Sequence, residues 1–374
     1  MPIISQKDYI IAAAAFITAF AIALISTPSM RKLAFKLNVI DVPRDERRMH
    51  KTPVPLLGGI AIALAFIVCA LIFANRSPQL FGILLGGALI TALGALDDKF
   101  DIPAGWKLLA QFAIAAVPVL FGLRIDRIND VFRIFTEEGG RISLGILSVP
   151  LTMIWIVGLT NAVNFIDGLD GLACGVSFIS GVSIFIISMK LGDANSAILI
   201  ACLCGACLGF LPYNTNPAKI FMGDAGALFL GYTLATLSIL GLFKWYSFVS
   251  FGIPFLVLAI PIFDIFFSIV RRILHGKNPM KADRGHVHQQ LIDLGLNQKQ
   301  VVAIFYCLSA TLGLVSVLIS GQNLFRQIIA IIIAVSALLL SLFLFLHREK
   351  TLRKKKLGEQ AENRENGSST ENRG

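Results

Sequence analysis

The 374-residue chain is 56% hydrophobic and only 15% charged, with a formal net charge of +10 and a mean hydropathy of +0.76. Soluble domains carry roughly a quarter charged residues, so this composition excludes an ordinary soluble globular protein and predicts an integral membrane protein. The positive charge collects in a few loops rather than on one face of a soluble module, which argues against nucleic acid as a partner.

About 20 apolar residues cross the hydrocarbon core as a helix. Runs of that kind occupy 9–27, 56–74, 80–96, 107–123, 147–163, 172–189, 196–212, 225–243, 249–270, 300–319 and 324–346. They predict an all-α integral membrane protein of about eleven transmembrane helices. Several runs are short or broken by glycine, so ten is the competing count. The first run, Tyr9 to Thr27, lacks a basic n-region and a cleavage site, and reads as a retained membrane helix rather than a signal peptide.

Lysine and arginine set the expected orientation. They gather between the first two runs (Arg31, Lys32, Lys36, Arg44, Arg47, Arg48, Lys51), after the ninth (Arg271, Arg272, Lys277, Lys281, Arg284) and in the tail that opens "HREKTLRKKK". An odd number of spans puts all three on one side, which predicts an outside N-terminus and a cytoplasmic C-terminus. Residues 1–346 then form one polytopic catalytic domain. Residues 347–374, basic and then polar without apolar anchors, read as a disordered cytoplasmic tail. The longest loop on the opposite side, 124–148, holds "EEGGR" between alternating flanks and predicts a small extracytoplasmic β-hairpin. No internal repeat of the transporter kind is visible.

Six cysteines (Cys69, Cys174, Cys202, Cys204, Cys207, Cys307) all fall in apolar runs. Cys202, Cys204 and Cys207 have the spacing of a metal cluster but no histidine nearby, and they read as small buried helix residues.

The unusual polar residues sit in loops that the span count places together on the cytoplasmic side. "RMHKTPVPLLGG" follows the first run, "GALDDKFDIPAGWK" the third and "NAVNFIDGLDGLA" the fifth. "NPAKIFMGDAG" precedes the eighth and "NPMKADRGHVHQQL" the tenth. Their acids are Asp97, Asp98, Asp101, Asp167, Asp170 and Asp224. Carboxylates at a membrane boundary are costly unless solvated, paired or bound to a cation. Asp101 alone reads as a solvated loop acid. The set fits a Mg²⁺ site, since that ion takes one or two protein carboxylates together with amide and phosphate oxygens. Lys51, Lys107, Lys219, Arg284, His286 and His288 then face an anionic substrate, for which a pyrophosphate suits the charge balance. The glycines of "DGLDGL" and "GDAG" suit close approach of backbone N–H groups to an anion, or simply a turn before a helix.

These loops, in this order, resemble the signature loops of the polyprenyl-phosphate N-acetylhexosamine-1-phosphate transferases, over about residues 10–345. The likeness is greater to the bacterial WecA/TagO branch of this glycosyltransferase 4, MraY-like family than to the MraY branch. The resemblance implies attack of a lipid phosphate on the β-phosphorus of a UDP-sugar, with UMP leaving. UDP-N-acetylglucosamine and undecaprenyl phosphate are the implied substrates, in a bacterial cytoplasmic membrane with the site on its cytoplasmic face. A phosphate monoester has a second pKa of about 6, so the lipid nucleophile is largely ionised at neutral pH. Alignment and charge neutralisation then matter more than a strong base.

Site roles follow from the same resemblance. Asp224 and Asn164 are expected to bind Mg²⁺, for which Mn²⁺ can substitute. Phe221 is expected to stack on uracil and Asp170 to hydrogen-bond it, with Asp167 in the same pocket among the catalytic group. Lys107 is expected on phosphate, and Lys51 among the substrate-binding residues. Asp97 and Asp98 are assigned jointly, the choice between base, lipid-phosphate positioning and metal binding left open. Arg284, His286 and His288 are expected on the sugar or pyrophosphate side. The branch usually reads His-x-His-His, whereas Gln289 follows His288 here, and glutamine still hydrogen-bonds but can neither carry charge nor act as an acid. Asp264, in "IPIFDIFF", is expected to pair with Arg271 or Arg272 or to line the site, and Pro254 and Pro261 suit a bent helix. Membrane lipids and a second copy of the chain are the implied partners. The competing readings are a phospho-MurNAc-pentapeptide transferase or another UDP-HexNAc specificity and, from a different class, a transporter of nucleotide-sugars or lipid intermediates. A CDP-alcohol phosphotransferase would need a longer spaced set of aspartates that is missing.

Overall fold

The computed structural model describes residues 4–42, 52–129, 141–241, 258–263 and 287–320, with positions 255, 329, 332 and 336 besides. Ten α-helices of seven or more residues lie among them: α1 Gln6–Lys36, α2 Gly58–Phe73, α3 Pro78–Phe100, α4 Ala104–Leu120, α5 Ser148–Ile166, α6 Leu172–Leu191, α7 Ala194–Asn214, α8 Gly223–Gly241, α9 Val287–Asp293 and α10 Gln298–Ile319. Seven of these (α1, α3, α5, α6, α7, α8, α10) are long and apolar enough to cross a membrane. At 16 and 17 residues, α2 and α4 span only about 24–26 Å. Nine of the eleven predicted runs therefore coincide with helices. Most of 249–270 and 324–346, and with them the full count and the membrane orientation, lie outside the described residues.

Helices without a hydrophobic drive between them associate through close packing of small residues, and this chain follows that rule. Ala12, Ala15, Ala19 and Ala23 are buried along one face of α1, at spacings of three and four that share a helical face. They pack on α7, where a Cβ at Gly205 or Gly209 would strike the Phe16 or Phe20 carbonyl. At the centre stands α8, which buries every residue from Ala225 to Gly241 and packs against α2, α3, α5, α6 and α7. Its Tyr232 hydroxyl donates to the Ile83 carbonyl of α3 at 3.2 Å, so a polar group inside the bundle is satisfied.

Helix ends that the apolar runs leave out proved longer. α1 continues through Pro28 to Lys36, so Arg31, Lys32 and Lys36 are helical, not loop residues. Ala34 in this extension packs with Val39 and Leu57. Likewise α3 runs to Phe100 and ends on Asp101 in the left-handed region (φ 52), which places Asp97 and Asp98 on its last turn. An apolar run marks only the stretch in hydrocarbon, whereas backbone hydrogen bonding persists into the interface. Asp101 itself is exposed, in keeping with a solvated acid.

Two short antiparallel ribbons lie among the described residues. The predicted hairpin is present as β3 (Arg127–Asn129) and β4 (Arg141–Ser143), in the register Ile128 opposite Ile142. A second ribbon, not anticipated, pairs β1 (Ile40–Asp41) with β2 (Val54–Pro55). It lies beside the start of α8, where the Phe221 N–H donates to the Pro55 carbonyl at 2.9 Å and the Gly58 N–H to the Phe221 carbonyl at 3.0 Å. These contacts join the end of α1 and the start of α2 to the start of α8. Side-chain contacts of Asp98, Lys107 and Asn164 with Asp224, of Asn214 with Gly171 and of Asn216 with Gln298 bring the ends of α3, α5 and α7 and the starts of α4, α6 and α10 to the same end of the bundle. The described motif loops converge there, as expected.

Candidate active site

Asp224, in the first turn of α8, is the point on which this end of the bundle converges. Its Oδ1 accepts from Asn164 Nδ2 of α5 at 2.8 Å. Its Oδ2 pairs with the Lys107 ammonium of α4, which also meets Asp97 Oδ2 of α3 at 2.6 Å. Four helices thus meet through four side chains that are far apart in sequence. Asp97 is 8% and Lys107 15% exposed, against 30% for Asp224, so Asp224 is the carboxylate of this group most open to a ligand. Asp97 Oδ1 also accepts the Ile102 N–H at 2.7 Å, anchoring the turn from α3 to α4.

Asp98 has a different job from Asp97. Its two oxygens accept the N–H groups of Asp224 at 2.7 Å and Ala225 at 3.2 Å. The carboxylate therefore caps α8 from another helix, satisfying donors that a helix start leaves open and meeting the positive end of its dipole. Gly223 makes this approach feasible: it has φ +65, and a Cβ there would collide with the Asp98 carboxylate. Gly226 serves close packing instead, lying against the Gly59 backbone of α2. Of the glycines of "GDAG", Gly223 is thus required by the cap that places Asp224 and Gly226 by the packing of α8 on α2.

Beside Asp224 opens a cleft of about 530 Å³, lined among others by Asp98, Asp167, Asp170, Phe221, Asp224 and Gln298. Asp170 Oδ2 accepts from Asn216 Nδ2 at 2.9 Å and from the Ala218 N–H at 3.0 Å, so this oxygen shapes the 215–219 loop. Asn216 Nδ2 donates also to Gln298 Oε1 at 2.6 Å, tying in α10. Asn214 is buried and bridges Gly171 N–H and the Ile220 carbonyl, each at 3.1 Å. Asp167 follows α5 directly and makes no side-chain hydrogen bond among the described residues. Burial, then the neighbouring charges of Asp224, Asp98 and Asp170, push its carboxyl well above the usual carboxylate range.

The donor set suits a divalent cation with a polyphosphate. The described residues lining the cleft include five aspartates and no lysine or arginine, so an anionic substrate needs added positive charge to enter. The Lys107 ammonium already marks a point where Asp97 and Asp224 share a cation. No cluster of three or more His, Cys, Asp or Glu side chains with metal-binding geometry occurs among the described residues. Asp224 and the Asn164 amide beside it, 2.8 Å apart, would offer the one or two protein oxygens that Mg²⁺ takes beside water or phosphate ligands.

Of the predicted site residues, Asp97, Asp98, Lys107, Asn164, Asp167, Asp170, Phe221 and Asp224 are brought to this one region. Lys51, Arg284 and His286, and also Asp264, Arg271 and Arg272, lie outside the described residues. The backbone of His288 lies in the first turn of α9, but its side chain also lies outside them. The cysteines of "ACLCGAC" are buried, as expected, whereas Cys307 is exposed. Asn214, Asn216, Gln298 and Gln111 carry contacts that were not assigned from sequence. The two asparagines were visible as a polar "YNTNP" at the end of an apolar run. Gln111 was visible as a lone amide four residues after Lys107.

Comparison with known proteins bears directly on this site. Residues 80–242, which contain the eight predicted residues brought together at this site, match the family model for glycosyl transferase family 4. The chain is 38% identical over 323 residues to a probable undecaprenyl-phosphate N-acetylglucosaminyl 1-phosphate transferase of Bacillus subtilis, covering 86% of this chain and 88% of that protein. It is 35% identical over 326 residues to a decaprenyl-phosphate N-acetylglucosaminephosphotransferase of Mycobacterium leprae, covering 78% of each. A phospho-N-acetylmuramoyl-pentapeptide-transferase of Staphylococcus aureus is 30% identical over 321 residues, 82% of this chain and 97% of the other. Likeness at that level over most of the length, with the site helices inside the matched segment, means that this chain belongs to glycosyl transferase family 4, an enzyme family of polyprenyl-phosphate sugar-1-phosphate transferases.

Proposed function

We propose that the protein transfers N-acetylglucosamine 1-phosphate from UDP-GlcNAc to undecaprenyl phosphate, giving GlcNAc-pyrophosphoryl-undecaprenol and UMP. This would be the first membrane step of a cell-envelope glycan pathway. The observation that carries the reading is Asp224: an open carboxylate, held by Lys107 and Asn164, at the mouth of an acidic cleft on one end of a membrane bundle. Relatives named for GlcNAc transfer at 35–38% identity, against 30% for the pentapeptide transferase, favour GlcNAc as the sugar.

An oxygen of the lipid phosphate attacks the β-phosphorus, and the bond from that phosphorus to the bridging oxygen breaks, so the electron pair leaves on UMP. Asp224, with the Asn164 amide turned to offer its oxygen, would hold Mg²⁺. The cation, when bound, neutralises pyrophosphate charge that the acidic cleft would otherwise repel. Lys107, freed in part from Asp224, is within reach of the same phosphates. Phe221 and Asp170 sit on the cleft wall where a uracil would stack and pair, Asp170 using the oxygen not committed to Asn216. Asp98, with both oxygens on the start of α8, acts by placing Asp224, whereas Asp97 places Lys107. Asp167 is the cleft carboxyl with no hydrogen-bond partner among the described residues, and so its oxygens are open to the bound nucleotide. The basic residues Arg31, Lys32 and Lys36 at this end of α1 support a cytoplasmic setting for it, where UDP-sugars are found. Lys51, Arg284, His286 and His288 would add the positive charge that the described wall lacks, whereas Gln289 is uncharged and its buried Oε1 has no hydrogen-bond partner among the described residues.

The test is UMP release by purified protein with undecaprenyl phosphate and Mg²⁺, offering UDP-GlcNAc or UDP-MurNAc-pentapeptide, with Asp224→Ala as control. Release with UDP-GlcNAc alone, lost in the variant, is the expected result. Release only with the pentapeptide would keep the chemistry and overturn the sugar assignment. A folded preparation that releases UMP from neither donor would favour transport.

A further inference from the structure

One polar contact inside the membrane bundle belongs to none of the roles above. Gln111 of α4 is 2% exposed and exchanges two hydrogen bonds with Asn161 of α5. Gln111 Nε2 donates to Asn161 Oδ1 at 3.3 Å, and Asn161 Nδ2 donates to Gln111 Oε1 at 2.6 Å. Asn161 Nδ2 also donates to the Val157 carbonyl at 2.8 Å. A carbonyl can only accept, so that third bond fixes which end of each amide is nitrogen.

The pair lies one turn behind the site. Gln111 follows Lys107 by four residues and Asn161 precedes Asn164 by three, so each amide shares a helix face with a site residue. Those two site residues take the two oxygens of Asp224: Lys107 one, Asn164 the other. Helix α4 is held to α3 at its start, where Asp97 meets Lys107 and the Ile102 N–H, but along its length only Gln111, Ala115, Pro118 and Val119 are buried. An apolar face against α5 could slide or rotate at little cost, whereas a reciprocal amide pair has a single register. We infer that Gln111 and Asn161 are positioning residues, which lock α4 on α5 so that Lys107 and Asn164 converge on Asp224. The inference rests on the reading of Asp224 as the cation and pyrophosphate site.

The experiment compares Gln111→Leu, Asn161→Leu, the Leu/Leu double variant and the swapped pair Gln111→Asn with Asn161→Gln. Two quantities are read: the Mg²⁺ concentration giving half-maximal UMP release, and the Mg²⁺-dependent rise in melting temperature of the detergent-solubilised protein without substrate. Each single variant leaves an amide unpaired in the bundle and should lose stability as well as function. The double variant removes both amides, so it should recover the melting temperature of the cation-free wild type. It should still need about tenfold more Mg²⁺, the usual order for residues supporting a ligand set, and the swapped pair should regain most of the loss. A Leu/Leu protein with wild-type Mg²⁺ response in both readouts would overturn the inference and leave the pair as packing. If Asp224→Ala also retained the wild-type Mg²⁺ response, the reading of the site would fall first and the inference with it.

Discussion

Helices α8 and α4 both begin at the site and each contributes one charged residue in its first turn, yet they are built on opposite plans. In α8, 94% of the membrane window is buried inside the protein, and glycines at 223 and 226 meet an aspartate side chain and a neighbouring backbone. By contrast, α4 shows much of its surface, with Trp106 69%, Leu109 60% and Leu120 80% exposed. The acid that must not move is mounted on the central helix, packed on all sides and capped by Asp98. Its partner, the lysine, is mounted on a peripheral helix fixed by a few polar contacts. Precision at Asp224 therefore comes from packing, and precision at Lys107 from hydrogen bonds.

Removing the central acid should have the largest effect. Asp224→Ala should lower UMP release by at least about 100-fold, the order seen when a preorganised charged group is deleted. The protein should still fold, because Lys107 keeps its pair with Asp97. Measured turnover within tenfold of wild type would mean that the cation and pyrophosphate are held elsewhere.

The packing contrast can be broken next. Gly226→Val forces a side chain into the Gly59 backbone and should cost about 2–3 kcal/mol through overpacking. Leu109→Ala on the exposed face of α4 should leave the melting temperature unchanged to within the error of the measurement. Equal losses from the two, by thermal denaturation in one detergent, would erase the distinction between the helices.

A smaller change should come from the cap. Asp98→Ala leaves two N–H groups at the start of α8 without their acceptor and should cost about 1 kcal/mol, the usual size of a lost cap. Activity should fall further than stability alone explains, because Asp224 carries one of those N–H groups. Asp98→Asn retains one acceptor oxygen and should recover part of both. If Asp98→Ala abolished turnover while Asp98→Asn did nothing to restore it, a direct role for the carboxylate charge would replace the cap.

Much of the helix layout was legible because membrane helices must satisfy their backbone internally, so an apolar run of sufficient length has one outcome. The gathering of Asp97, Lys107, Asn164 and Asp224 was legible only through their family resemblance and the parity of the spans. What stayed hidden were partnerships across the chain. Nothing local in "LDDKF" says that Asp98 caps a helix 126 residues later while Asp97, its neighbour, binds a lysine. One residue turns about 100° around a helix, so adjacent acids face different partners. The β1–β2 ribbon escaped for a related reason: two-residue strands have no periodicity to detect. Gln111 was the most readable omission, a single amide in "LLAQFAIAAV" that hydrocarbon would penalise without a partner.

The faintest predicted effect concerns Asp167, whose carboxyl is pushed up by burial and by the surrounding aspartates. An acid whose folded pKa lies above its unfolded value of about 4 binds its proton more tightly in the folded protein. It therefore contributes stability that is fully present below about pH 4 and is lost as pH rises toward and through the folded pKa. Asp167→Asn cannot titrate. With cations chelated, the melting temperature of the variant relative to wild type should rise between pH 5 and pH 8, by on the order of 1–2 °C. Added Mg²⁺ should shrink that difference, since a divalent charge beside Asp224 offsets the repulsion that raises the pKa. Parallel melting curves across that range, with and without Mg²⁺, would mean that water reaches Asp167 freely, and that the cleft is wetter than its five aspartates and buried walls imply.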